Sequence, residues 1–300
     1  MMLLAASGGG GGTFTGLTLA LSGSSIADST RASPPASTST YTSAGSVLPA
    51  DATYSAGYVY FNIYPGTYTV QIKGAEGSGT QHGFGATINA TMVSSVTARM
   101  IALLGQAGSG NYSGGGMSAL ALSAGGDTYV GATPILVAGG GGGGYSTLQP
   151  EGDGGGTSWS PTTRRGLNTD CPTYGGGVYD AGAPFNSAFH SVSIYSCTVG
   201  SGAARAFLSG ALGGTVTACG GSVQGGFGGG GGSCPAGGGG YYGGLAGGNS
   251  PSAQGGGGGT SYRLTSGGVY ISAWSDGSLN GSNRNANPGT AHGYISIVKV

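Results

Sequence analysis

Tyr58-Val59-Tyr60-Phe61-Asn62-Ile63-Tyr64, then Pro65-Gly66, then Thr67-Tyr68-Thr69-Val70-Gln71-Ile72-Lys73 is the stretch on which the fold class turns. Both flanks are rich in aromatic and β-branched residues, and the second alternates apolar with polar side chains, the period of a half-buried strand. Pro65 presets φ and Gly66 supplies a backbone that other residues resist, so the spacing predicts a tight turn and a β-hairpin. Working outward, Thr13-Phe14-Thr15-Gly16-Leu17-Thr18-Leu19-Ala20-Leu21 has the same alternation, and Tyr294-Ile295-Ser296-Ile297-Val298-Lys299-Val300 repeats it at the other end. Further strands are predicted over 86–93, 99–104 and 134–138, separated by glycine. No glycine-free window of helical length has a 3.6-residue period. Many short strands with Gly/Pro punctuation point to a sandwich or barrel rather than βαβ units, and the expected fold is all-β, a β-sandwich/jelly-roll-like scaffold with little or no α-helix.

Beyond residue 138 glycine runs take over, at 139–144, 228–232, 237–240 and 255–259. Collagen needs a strict Gly-X-Y triplet, which is not kept. A flexible linker is the plain alternative, but the runs alternate with Trp159, Tyr174, Phe185, Phe227, Tyr241, Tyr242 and Tyr262. Side by side, extended three-per-turn glycine helices can exchange N–H···O=C bonds laterally, because no side chain holds them apart. The reading is therefore of extended glycine helices packed side by side, with Gly141, Gly230, Gly239 and Gly257 as packing positions. It divides the chain into a strand and Ser/Thr/Pro-rich connector (1–57), a β scaffold (58–138), the glycine-rich region (139–290) and a closing strand (291–300).

Glycine supplies 72 of the 300 residues and charged side chains only 6%, against usual values of roughly 7% and 25%. Nine basic and nine acidic residues leave no net charge, so neither nucleic-acid binding nor a basic membrane stripe is predicted. Disorder goes with low hydrophobicity and high net charge, whereas here 38% of residues are apolar and 17 are tyrosine. The opening Met1-Met2-Leu3-Leu4-Ala5-Ala6-Ser7 lacks a basic n-region, and no apolar run approaches the ~20 residues that span a bilayer.

The cysteines, Cys171, Cys197, Cys219 and Cys234, form no Cys-x-x-Cys pair, which argues against zinc. Two disulfides are the expectation. Residues 193–197 and 214–219 read as strands that pair, favouring Cys197 with Cys219 and leaving Cys171 with Cys234; two other connectivities, and reduced thiols, stay open.

No cofactor, metal or catalytic site is predicted. The lysines, Lys73 and Lys299, are not followed by Ser or Thr, so there is no P-loop. No Gly-x-Ser-x-Gly elbow occurs. His82, His190 and His292 are scattered, and Glu151-Gly152-Asp153 and Arg164-Arg165 read as loops. Asn89-Ala90-Thr91, Asn111-Tyr112-Ser113 and Asn280-Gly281-Ser282 are candidate N-glycosylation sequons.

Six segments come in the order found in a known family. They are Gly66-Thr67-Tyr68 leading to Gly74-Ala75-Glu76-Gly77, Leu104-Gly105-Gln106-Ala107-Gly108, and Ile135-Leu136-Val137-Ala138-Gly139-Gly140. Gly240-Tyr241-Tyr242-Gly243-Gly244, Gly258-Gly259-Thr260-Ser261-Tyr262 and Gly293-Tyr294-Ile295-Ser296-Ile297 follow. Over residues 58–300 the chain resembles the glycine-rich extracellular domain of the anaplastic lymphoma and leukocyte receptor tyrosine kinases, and related glycine-rich surface and phage adhesin proteins. The resemblance implies a β-sandwich-like scaffold with an inserted polyglycine-II bundle. The chain lacks a kinase and a membrane span, so cytokine recognition is not carried over. The functional expectation is a non-enzymatic structural protein of an extracellular fibre, coat or particle surface, partnered by copies of itself or other coat proteins. The alternative is a virus or phage adhesin binding a cell-surface receptor or glycan; an unidentified enzyme is the third.

Overall fold

The computed structural model describes residues 14, 16–21, 33–34, 47–79, 82–109, 113–144, 185, 204–216, 223–232, 236–241, 243–244, 256, 258–276 and 292–300. In chain order the strands are β1 (Leu17–Ala20), β2 (Thr53–Ser55), β3 (Tyr58–Ile63), β4 (Gly66–Lys73), β5 (Thr87–Ser94), β6 (Ala98–Leu103) and β7 (Ser118–Leu122). Then come β8 (Thr133–Ala138), β9 (Thr215–Val216), β10 (Val223–Gln224), β11 (Tyr262–Arg263), β12 (Val269–Asp276) and β13 (Tyr294–Lys299). The fold is all-β: among the described residues there are two large antiparallel sheets and a separate β9–β10 ladder, no α-helix, and one 3-10 turn at Phe207–Ser209.

The first sheet has the order β1-β13-β4-β5-β12, the second β11-β8-β7-β6-β3-β2. Their sequences differ as their surroundings do. In the first sheet each strand buries alternate residues: Leu17 and Leu19, Tyr68, Val70 and Ile72, Ile88 and Met92, Ile295 and Ile297. In the second, runs such as Tyr58–Phe61 and Met100–Leu103 are buried without a break. One face of that sheet contributes Val59, Phe61, Ile63, Met100, Leu120 and Leu136 to a core shared with the first sheet. The opposite face contributes Tyr58, Tyr60, Ile101, Leu103 and Val137 to a second apolar cluster with Phe185, Phe207 and Phe227. A strand wetted on one face alternates; a strand covered on both need not.

That difference overturns the predicted hairpin. β3 pairs with β2 and β6, and β4 pairs with β13 and β5, so Pro65-Gly66 is a corner between sheets. The turn chemistry holds, but burial chooses the partner. β3, apolar on both faces, belongs between two clusters, whereas β4 carries a polar face and belongs where one side meets water. The tight two-residue hairpin lies just before it, at Ala56-Gly57 between β2 and β3, with φ +50° and +90°. Positive φ at both central positions is the geometry that matches strand twist. Ala56 is not the usual Asn or Asp, which hid the turn from sequence reading.

Residues 269–276, within the stretch read as glycine-rich, form an eight-residue strand on β5, bulged between Ile271 and Ala273. Thr215–Val216 pairs with Val223–Gln224; residues 193–197 lie outside the described ones. At one edge the sheets are clasped: Arg263 of β11 sits over the Trp274 ring of β12, 4.9 Å from its centroid, a contact worth about 0.5–2 kcal/mol by burial. At one end of the second sheet, Arg99 ties β6 to Asp51 at 3.6 Å and to Asp127 at 2.7 Å. Hydrogen bonds from Arg99 and Thr53 hold the Asp127 carboxyl below its ordinary range.

Candidate functional site

Several strands run out into glycine where their apolar pattern stops. β4 continues as 74–78, β6 as 104–109 and β8 as 139–144. These continuations meet 83–86, 113–117, 225–232, 236–240 and 256–260, and the backbone hydrogen bonds among them have an unusual order.

Within 139–144, the N–H groups of Gly140 and Gly143 donate to the carbonyls of Gly239 and Ala236. Those of Gly141 and Gly144 donate to Ala75 and Ser78. The carbonyls of Gly139 and Gly142 accept from Ala86 and Gly83, those of Gly140 and Gly143 from Gly259 and Gly256, and that of Gly141 from Gly115. Donor–acceptor distances are 2.8–3.1 Å. Paired donors and their paired acceptors are each three residues apart, so every third residue addresses the same neighbour. A β-strand repeats every two residues and has two lateral neighbours; this segment bonds to 74–78, 83–86, 113–117, 236–240 and 256–260. Residues 113–116 form a second hub, bonded to 74–78, 104–109, 139–144, 225–232 and 236–240.

Glycine is required here for the volume that a Cβ would take. A Cβ on Gly141 would lie closer than 3.0 Å to the Gly83 carbonyl, one on Gly230 to that of Gly114, and one on Gly239 to that of Gly228. These obstacles are backbone, so none can rotate away. Each of the three predicted packing positions among the described residues therefore sits in this lattice; Gly257 lies outside them. Sequence reading missed the other half. Gly74, Gly85, Gly105 and 114–116, read as breaks between strands, make equally close approaches. A usable signal was there: glycine placed directly where the apolar alternation of a strand ends.

Aromatic side chains close the lattice against the second sheet. The buried Tyr58 hydroxyl donates to the Phe207 carbonyl at 2.6 Å, Tyr58 stacks on Tyr129 at 4.6 Å, and Phe185 stacks on Phe207 at 4.3 Å. Burial, reinforced by the neighbouring Tyr129 and Tyr60 phenols, pushes the Tyr58 hydroxyl far above the usual tyrosine range. Burial likewise raises Tyr54 and Tyr60 to about 12. His292, fully buried, accepts the Ala107 N–H at Nδ1 across 3.1 Å, which places the proton of its neutral ring on Nε2. His82 Nε2 lies 3.5 Å from Glu76 Oε2. No three His, Cys, Asp or Glu side chains gather as a metal site among the described residues.

Of the predicted modification sites, Asn89 lies on the exposed face of β5, and its Oδ1 accepts from Gln71 Nε2 at 3.0 Å. Asn111, Asn280, Cys171, Cys197, Cys219 and Cys234 lie outside the described residues. No protein-family model and no curated protein matches the sequence.

Proposed function

We propose that this chain is a non-enzymatic structural protein of an extracellular fibre, coat or particle surface, with its sheets as a sandwich-like scaffold and its glycine segments as a polyglycine-II bundle. The observation that carries this reading is the three-residue period of the hydrogen bonds around 139–144. A three-per-turn helix has no internal hydrogen bonds and turns its N–H and C=O groups outward in three directions. Such helices are solvated and loose singly, and become a cross-bonded body when packed together. The resemblance to glycine-rich receptor and adhesin domains implies the same arrangement.

Rigidity made from backbone bonds needs little charge and few specialised side chains, which suits a chain with 6% charged residues. It also resists proteases, which require an opened chain. Electron microscopy and sedimentation of the purified chain test the assembly reading: fibres, lattices or closed particles are the expected result. A monodisperse single chain at all concentrations would overturn it. A second reading, a surface adhesin, is favoured by the outer face of the first sheet, where Thr69, Gln71, Asn89, Thr91, Ser275 and Ser296 form polar rows beside Lys73.

A further inference from the structure

The first sheet turns one face to the shared core and the other outward. Register sets the outer residues in rows across the strands. Ser296 of β13 lies opposite Gln71 of β4, Gln71 opposite Asn89 of β5, and Asn89 opposite Ser275 of β12. Thr18 of β1 faces Ser296 and extends the row over the whole sheet. A second row passes through Thr69 and Thr91. Between the rows runs a shallow groove of about 560 Å³, floored by the backbone of Val70, Ala90 and Trp274, whose side chains belong to the core side. Among the described residues no charged side chain lines it; the nearest cation on this face is Lys73, outside the groove beyond Gln71 and over the Tyr294 ring.

A polar outer face is ordinary for an antiparallel sheet, so polarity alone decides nothing. The centre of this one departs from the ordinary. Asn is depleted in strands, yet Asn89 stands mid-strand in β5, with Gln71 directly opposite. Gln71 Nε2 donates to Asn89 Oδ1 across 3.0 Å. Gln71 Oε1 remains an acceptor and Asn89 Nδ2 a donor, side by side above the groove floor. An acceptor beside a donor matches neighbouring hydroxyls on one sugar ring, each of which donates and accepts. Hydroxyls of Ser275 and Ser296 extend the row at either end, those of Thr69 and Thr91 stand across the groove, and Lys73 and Thr87 lie on the far side of the pair; pyranose units are comparable in length to the strand spacing of about 4.8 Å.

We propose that this groove binds a neutral oligosaccharide laid across β13, β4, β5 and β12, with the Gln71–Asn89 carboxamide pair as its central contact. Charge complementarity selects this occupant: an acidic ligand would need cations that the lining lacks. An extended peptide would pair along a sheet edge, and the backbone groups on this face are already used in the ladders. The proposal deepens the adhesin reading of the preceding subsection and rests on it for its biological use.

The test is an array of immobilised neutral glycans (β-glucan, mannan, galactan) beside sialylated and sulfated ones, probed with full-length protein from a bacterial host. Retention on at least one neutral glycan is expected, unchanged up to about 0.5 M salt, where screening would abolish an ionic contact. Gln71→Ala and Asn89→Ala should each weaken it by about tenfold or more, equivalent to about 1.4 kcal/mol. Thr67→Ala, on the same face outside the groove, should leave it unchanged. Isothermal titration calorimetry with the retained glycan reports occupancy independently of the array, and thermal unfolding verifies that each variant is folded. Binding to acidic glycans alone, no retention, or retention indifferent to both substitutions overturns the proposal. So does a glycan found covalently on Asn89 in protein from a eukaryotic host, because it would fill the groove from within. Retention that maps to another surface removes the groove but keeps the adhesin reading, and fibres that bind no glycan remove both while the structural reading stands.

Discussion

Replacing Gly141 by alanine puts one methyl group where the Gly83 carbonyl and the backbone of Phe84 already lie. Relief requires the 83–86 segment to move, and with it the bonds from Gly83 to Gly142 and from Ala86 to Gly139. Overpacking a tight interior costs about 1–3 kcal/mol, and weakening a buried hydrogen bond adds about 1 kcal/mol. Reduced freedom of the unfolded chain offsets about 0.4–1 kcal/mol of this. The expected net loss is about 1–4 kcal/mol, a fall in Tm of about 2–6 °C for a chain of 300 residues. Gly125, in the β7–β8 connection, has nothing within 4 Å of its would-be Cβ and no positive φ, so Gly125→Ala is the control, neutral or slightly stabilising. Thermal unfolding of Gly141→Ala, Gly230→Ala, Gly239→Ala and Gly125→Ala, followed by circular dichroism, decides the matter. If the three lattice variants unfold at the temperature of the Gly125 control, the close-packing argument fails.

Truncating the fully buried Phe61 to alanine empties a site in the shared core and should cost about 3–5 kcal/mol in denaturant unfolding; a loss under about 1 kcal/mol would refute its place there. Tyr54 and Tyr60 should ionise near pH 12 rather than at the usual ~10, as read by ultraviolet phenolate absorbance. Because folding raises these values, their contribution is complete below pH ~10 and is lost as pH rises through about 12, so stability should fall over that window. Ionisation near 10 while the protein stays folded would contradict their burial. Peptide mapping without reduction should find Cys197 joined to Cys219 and Cys171 to Cys234; four free thiols would remove the bridges and weaken the extracellular placement.

Much of the strand set was legible because alternation is local. Tyr68, Val70 and Ile72 declare a half-buried strand whatever they pair with. Pairing is not local, which is why Pro65-Gly66 read as a hairpin tip and proved to be a corner. β7 was hidden because Ser118-Ala119-Leu120-Ala121-Leu122 is short, small and separated from three glycines by Met117 alone. Glycine runs of four or more announced themselves; Gly74, Gly85 and Gly105, single residues at strand ends, did not, although their backbone contacts are as close. The Ser296–Gln71–Asn89–Ser275 row was beyond sequence reading altogether. Its members come from two pairs of consecutive strands, β4–β5 and β12–β13, that lie far apart in the chain, and only ladder register aligns them.

The hydrogen bonds around 139–144 also say how such a body can change length. Its neighbour 74–78 runs in the same direction, whereas 83–86, 236–240 and 256–260 run against it, so the lattice accepts chains of either polarity. Because every third residue meets the same neighbour, inserting or deleting three residues in a run restores the facing of all that follow. In a three-per-turn helix rising about 3.1 Å per residue, that is a step of about 9 Å. Deletions of one or two residues would instead rotate the remainder onto the wrong neighbours. Length variants of these loops should therefore be tolerated in triplets, a protein-level counterpart of a reading frame.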